Sequence, residues 1–181
     1  MKKIILAFAV ALLLAGAPGP VQAKPDWIFP ESGLLGYSNF TLTEDFSENE
    51  FAAMAEVKDK LILVGGKIES VKNEIYYAQG ADYEDAQGKF PSVALEPYRI
   101  EYGQFSAYLI DDVVDPAILQ AGYLVDFLCE DVQKGPGSRG VQGKCRVVEL
   151  SESADSTKIG AGFITRYTNQ ELVDLIGPWP E

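Results

Sequence analysis

Leu61-Ile62-Leu63-Val64-Gly65-Gly66-Lys67-Ile68-Glu69-Ser70-Val71 is the stretch on which the fold turns. The segment before it is spaced at helical intervals, but here the apolar residues run together and then alternate with polar ones from Lys67. The stretch reads as one long β-strand of period two. A glycine pair inside such a strand points to a bulge or a sharp bend, as where a sheet curls into a barrel.

Upstream, Ser47 and Glu50 have the spacing of a capping box, flanked by Phe46 and Phe51 as a hydrophobic staple. A short helix is therefore expected from about Glu48 to Val57, with Phe51, Met54 and Ala55 on one face. Residues 24–46 are rich in proline, glycine, serine and aromatics and read as an irregular N-terminal arm. Asn39-Phe40-Thr41 matches a glycosylation acceptor by chance.

Downstream, Asn73-Glu74 reads as a turn into a second strand at Ile75–Ala78. Further strands are expected at Ser92–Leu95, Phe105–Ile110, Tyr123–Val132 and Lys144–Leu150, with one helical turn at Pro116–Leu119. Thr168 and Glu171 form a second capping box, opening a short C-terminal helix that Gly177-Pro178 ends. Five strand regions with a helix before and a helix after give a mainly β (α+β) fold, a small barrel rather than a sandwich or a parallel sheet. The domains are then 1–23, 24–46 for the arm, 47–150 for the barrel and 151–181 for the tail.

The first of these is read as a cleavable secretory signal peptide. Lys2 and Lys3 precede an apolar run from Ile4 to Gly16, which is too short for a bilayer of about 30 Å. Pro18 and Pro20 break it, and Val21 and Ala23 stand at −3 and −1 to a cut before Lys24. No cysteine lies near the cut to carry a lipid, and no later stretch is apolar enough to cross a membrane. The expected product is a soluble periplasmic or secreted protein of 158 residues (181 less 23). Its charge moves from −12 to −14 as two lysines leave with the signal. Such a chain lacks the clustered positive charge that general nucleic-acid binding requires.

There is no histidine anywhere in the 181 residues, which excludes histidine triads, histidine bases and histidine-ligated zinc. Neither Gly-x-Ser-x-Gly nor Ser-x-x-Lys occurs, so a non-enzymatic role is expected, with a carboxylate-dependent hydrolase the less favoured alternative. No cofactor or metal is expected. Asp82, Glu84 and Asp85 in one loop, and Asp111, Asp112 and Asp115 in another, lack the spacing of a calcium loop. They read as solvated charge.

Cys129 and Cys145 are the only cysteines, and an exported chain keeps such a pair oxidised. Their midpoint is Gly137, at the centre of Gly135-Pro136-Gly137-Ser138-Arg139-Gly140, so a hairpin turning there sets the cysteines opposite one another. A redox pair would have C-x-x-C spacing, and two thiolates alone leave zinc incompletely ligated. Between 134 and 146 the chain carries Lys134, Arg139, Lys144 and Arg146 with no acidic residue. Two readings stand for this cluster, an anion or acidic-partner site and a charged hairpin that resists edge-to-edge pairing.

Ala55-Glu56-Val57-Lys58-Asp59-Lys60 leading into the glycine-bearing strand, then Phe105-Ser106-Ala107-Tyr108-Leu109, the turn at Leu119–Gly122 and the cysteine-bearing strand pair occur in an order that resembles the bacterial tRNA-anti-like family of OB-fold proteins. The likeness covers about residues 48–150. The periplasmic BOF proteins share the Val64-Gly65-Gly66-Lys67-Ile68 pattern but match the cysteine hairpin less well. The stretch from Tyr77 to Phe105 is longer than a plain hairpin. What the resemblance implies is a five-stranded Greek-key barrel that binds on its strand 2–3 face and the adjoining loops. Tyr76, Tyr77, Phe105 and Tyr108 fall on those strands, either as stacking surface or as core. Tyr76, Tyr108, Lys134 and Arg139 are the candidate binding residues, and an unknown protein or a small anionic ligand is the expected partner. An assembly role in an envelope complex, through the terminal segments, is the alternative.

Overall fold

The computed structural model describes residues 24–29, 33–76, 89–97, 99–109, 115–135 and 140–152. The expected signal peptide, the acidic stretch at 80–88, Tyr77, Arg139 and the expected C-terminal helix lie outside them. The described residues form a mainly β protein. Its strands are β1 (Trp27–Ile28), β2 (Leu35–Ser38), β3 (Ile62–Ile75), β4 (Lys89–Leu95), β5 (Phe105–Leu109), β6 (Leu124–Lys134) and β7 (Val141–Ser151). Two helices, α1 (Asn39–Glu48) and α2 (Glu50–Val57), lie between β2 and β3.

β3 organises the sheet. Its first half pairs antiparallel with β6, from Ile62 opposite Cys129 to Lys67 opposite Leu124. Its second half pairs antiparallel with β4, from Ile68 opposite Leu95 to Ile75 opposite Lys89. β4 pairs antiparallel with β5, β5 parallel with β7, and β7 antiparallel with β6, so the chain of pairings returns to β3. β2 runs parallel to the first half of β3 and carries β1 on its outer edge.

The unbroken apolar run Leu61–Val64 now has its cause. Ile62, Val64 and Ile68 are fully buried in the main core with Phe46, Val93, Phe105 and Phe127. Leu63 lies in a second cluster with Phe29, Leu34 and Leu128. Residues 24–29 and 33–38 supply that second cover. They are not irregular but hold β1 and β2, which makes both faces of the first half of β3 interior.

The glycine pair acts differently from expectation. The register shift in β3 falls between Ile68 and Ser70, where the strand has just changed partner from β6 to β4. Gly66 instead leaves room for Asn39 at the start of α1. A Cβ at Gly66 would sit 2.6 Å from Asn39 Oδ1 and 2.8 Å from a Leu95 methyl. Asn39 is buried, and its Nδ2 donates to the Glu96 carbonyl at 2.7 Å, so this acceptor asparagine is structural. Nor is there a turn at Asn73-Glu74. β3 continues through both residues, paired with Pro91 and Phe90.

The helix expected from about Glu48 to Val57 is α2, which starts two residues later after a break at Asn49, and a further helix, α1, precedes it within the segment read as an arm. Ser38 caps α1 by accepting from the Thr41 amide at 3.1 Å, and Asn49 caps α2 by accepting from the Ala52 amide at 3.1 Å. Ser47 falls inside the last turn of α1, so the Ser47–Glu50 capping box does not form. Phe46 is buried, whereas Phe51 is 88% exposed, which removes the staple. A short asparagine side chain reaches the amide three residues on as readily as serine does, and Asn49 stands two residues after Ser47.

Candidate functional site

Cys129 and Cys145 are directly opposed in the β6–β7 ladder and joined by a disulfide, with their Cα atoms 4.1 Å apart. Both are buried in the main core. The bridge lies midway along the hairpin, whose strands carry Lys134, Lys144 and Arg146 and whose loop carries Arg139. The two ends of that loop are tied again where the Gly135 amide donates to the Gly140 carbonyl at 2.9 Å.

Between the bridge and the loop, β6 bulges. Glu130 opposes Lys144 and Gln133 opposes Gln142, so Asp131 and Val132 together face Gly143. Asp131 takes a left-handed conformation in the bulge, φ 50°, that side chains seldom adopt. Gly143 accommodates the bulge, since a Cβ there would come 2.9 Å from a Val132 methyl.

The bulge turns Asp131 toward Tyr76. Tyr76 Oη donates to Asp131 Oδ2 at 2.7 Å and accepts from Gln133 Nε2 at 2.9 Å. Lys144 Nζ lies 3.3 Å from the same Asp131 oxygen and 5.3 Å from the centre of the Tyr76 ring. Burial, then the hydrogen bond to Asp131, pushes the Tyr76 hydroxyl far above its ordinary pKa, so it stays protonated. Tyr76 is 1% exposed, and its ring meets Tyr108 edge-on at 5.0 Å between centroids. The structure thus brings Tyr76 and Tyr108 together. It places Tyr76 inside, beneath Tyr108, where no ligand touches its face.

Tyr108, 7% exposed, lies on the wall of a groove of about 500 Å³. Asn73 and Ile75 of β3, Lys89 of β4, Gln104, Ser106 of β5 and Gln142 of β7 line it too, and Gly135 and Gly140 close one end. The groove therefore begins where the basic loop leaves the sheet. Hydrogen-bonding groups converge on it from several strands, with Tyr108, Ile75 and Val141 as the apolar component and Glu74 as a negative charge beside Lys89. That mixture suits a small polar ligand or a short peptide.

Lys134 is placed at the hairpin end but faces α2, where its Nζ pairs with Glu50 Oε2 at 2.9 Å. Glu50 stands in the first turn of α2, where a negative charge also suits the helix dipole. Lys134 thus anchors the hairpin to the helix. Arg139 lies outside the described residues.

A second cavity, about 430 Å³, opens on the other side of the bulge, between the end of α2 and β6. Val57, Lys58, Asp59, Asp131 and Lys144 line it. Asp115 caps a single 3₁₀ turn, Pro116–Ile118, by accepting from the Ala117 amide at 2.9 Å. Among the described residues, no three acidic or cysteine side chains are grouped to hold a metal ion, and no helix is long and apolar enough to cross a membrane.

Sequence reasoning did not find Asp131, Gln133, Ser106 or Gln142. Each is a polar residue in a strand, where alternation alone assigns it to solvent. The signal available was Gly143, an unexplained glycine opposite the acidic pair Glu130-Asp131. No protein-family model, no curated protein and no solved structure matches the chain.

Proposed function

We propose that this chain is an exported, non-enzymatic binding module on an OB-type five-stranded barrel, and that the groove beside Tyr108 takes an anionic ligand or an acidic segment of a partner protein. The ring of pairings β3–β4–β5–β7–β6 supports the OB-type reading, because its one parallel pair is β5 with β7 and the rest are antiparallel. In that arrangement the second and third strands of the barrel, with the loops after its first and fourth strands, form the usual binding face. Here those strands are β4 and β5, and the second of those loops is the basic one.

The observation that carries the proposal is the groove itself. It joins Lys89, Tyr108 and Gln142 to the two glycines from which the loop bearing Arg139 springs. Inorganic phosphate and a glutamate-rich hexapeptide, titrated against the isotopically labelled protein, are the probes. Amide resonances of Ser106, Tyr108 and Gln142 should shift together and saturate, with an apparent affinity that falls as salt rises. Arg139→Glu should weaken binding severalfold without unfolding the domain. Shifts scattered over the surface, or affinity indifferent to Arg139→Glu, would remove the groove from consideration.

One observation favours the alternative, assembly into an envelope complex. β1 is an edge strand of two residues, and its Trp27 and Ile28 are 43% and 57% exposed. Such an edge can accept a strand from a partner. If Trp27→Ser with Ile28→Lys abolishes co-migration with an envelope complex and groove variants do not, assembly is the function.

A further inference from the structure

The residue at which the signal cut is expected is also the residue whose main-chain nitrogen lies against a carboxylate. Lys24 N is 3.0 Å from Asp45 Oδ2, across a sequence separation of 21 residues. Asp45 sits half-buried in α1, and its charged neighbours are Glu44 and Glu48 on the same helix and Asp26 on the arm, all negative. Among the described residues no lysine or arginine side chain forms an ion pair with Asp45.

Asp26, the other carboxylate here, is already employed. It accepts from the Ser38 amide at 2.6 Å and from Thr41 Oγ1 at 2.8 Å, fastening the arm to the β2–α1 junction. Among the described residues, the partner of the Asp45 side chain is the nitrogen of residue 24. In the uncut chain that nitrogen is a neutral amide, and burial together with the three acidic neighbours pushes the Asp45 carboxyl up to about 6. An acidic group held unfavourably in this way marks a position short of one positive charge.

We infer that Asp45 is the binding site for the α-ammonium group of Lys24, and that removal of the signal peptide completes it. Hydrolysis of the Ala23–Lys24 peptide bond adds the hydroxyl of water to the Ala23 carbonyl carbon and a proton to the Lys24 nitrogen. The freed amine then takes up a second proton at neutral pH. A hydrogen bond from a neutral amide to the carboxylate becomes an ion pair without movement of either heavy atom.

The ion pair pins the start of the arm. That arm carries Phe29, which covers Leu63 and Leu128 in the second core cluster, and β1, which extends the sheet. Processing and folding are thereby coupled: the domain is at its most stable only after the cut. The inference rests on the signal-peptide reading but not on the groove.

Two experiments test it. Intact mass of the exported protein should show a chain beginning at Lys24, and any other start overturns the inference. Protein beginning at Lys24 is then compared with protein that retains Ala23, in parent and Asp45→Asn backgrounds. Retaining one residue should lower Tm by about 2–4 °C in the parent and by nothing measurable in Asp45→Asn. The α-amine of the Lys24 form, followed by NMR titration, should carry a pKa raised above its ordinary value of about 7.7–8.0. That rise should vanish in Asp45→Asn, which a purely structural role of Asp45 would not produce. Equal Tm for the two parent termini, or an amine titrating at its ordinary value, overturns the inference even if the cut is confirmed at Lys24.

Discussion

Asp131 reaches the hydroxyl of Tyr76, 55 residues away in sequence, because its own backbone turns left-handed inside the β6 bulge. The contact closes the end of the sheet where β3 finishes and β6 runs out toward the basic loop. It ties a buried tyrosine to a carboxylate that also holds Lys144. The geometry costs backbone strain at Asp131, of order 1–2 kcal/mol for a side chain in this conformation.

Two substitutions separate strain from bonding. Asp131→Ala loses the bonds and keeps the strain, whereas Asp131→Gly loses the bonds and relieves it. Urea unfolding should find Asp131→Gly the more stable of the pair by about 1 kcal/mol. Tyr76→Phe, which leaves Gln133 Nε2 without this partner, should cost ~1–3 kcal/mol. An order reversed between the alanine and glycine variants would show that the bulge is set by something other than Asp131.

The disulfide is a second source of stability that can be removed cleanly. It closes a loop of sequence separation 16 from midway along the hairpin. On the chain-entropy account such a loop is worth about 3 kcal/mol. Reduction, or replacement of Cys129 and Cys145 by alanine, should lower the denaturation midpoint accordingly. A fall of under about 1 kcal/mol would mean that the hairpin is already ordered in the unfolded chain.

Gly66 and Asn39 make a pair for a double-mutant cycle. Gly66→Ala drives a Cβ against Asn39 Oδ1 and a Leu95 methyl, and should destabilise by ~1–3 kcal/mol. Asn39→Ala loses the bond to the Glu96 carbonyl but vacates the space. The double variant should therefore lose less than the sum of the two single changes. Strict additivity would place the clash on Leu95 alone.

Much of the sheet was legible because it obeys a single period. β4, β5, β6 and β7 lie where short alternating runs foretold them, and the Gly/Pro loop foretold the hairpin that sets Cys129 against Cys145. What was hidden depends on contacts distant in sequence. α1 reads Asn-Phe-Thr-Leu-Thr-Glu-Asp-Phe-Ser-Glu, with β-branched and small polar residues that favour other conformations in isolation. Leu42 and Phe46, four residues apart and fully buried, hold it helical against the core. The candidate site was legible in part: Tyr108 lines a groove at the foot of the basic loop. The pairing of Lys134 with Glu50 was not, because two residues 84 apart meet only once the hairpin folds over α2.

The last prediction concerns pH and turns on Asp45. In a chain that retains Ala23, its carboxyl titrates at about 6 when folded, through burial and then the charges of Glu48, Asp26 and Glu44, and near its ordinary value of about 3.9 when unfolded. Between those values the folded state holds the proton more tightly. The contribution to stability is thus fully present below about pH 4 and is lost as pH rises through about 6. Asp45→Asn cannot titrate and should not show the loss. Because 27 acidic residues shape the profile of the whole protein, the informative quantity is the difference between parent and Asp45→Asn, read as urea midpoints from pH 4 to 7. That difference should move in favour of the asparagine variant as pH rises. In chains beginning at Lys24 it should shrink or change sign, since the ammonium group now stabilises the ionised carboxylate. Parallel profiles for parent and variant with Ala23 retained would show that Asp45 is as well solvated in the folded protein as in the unfolded chain.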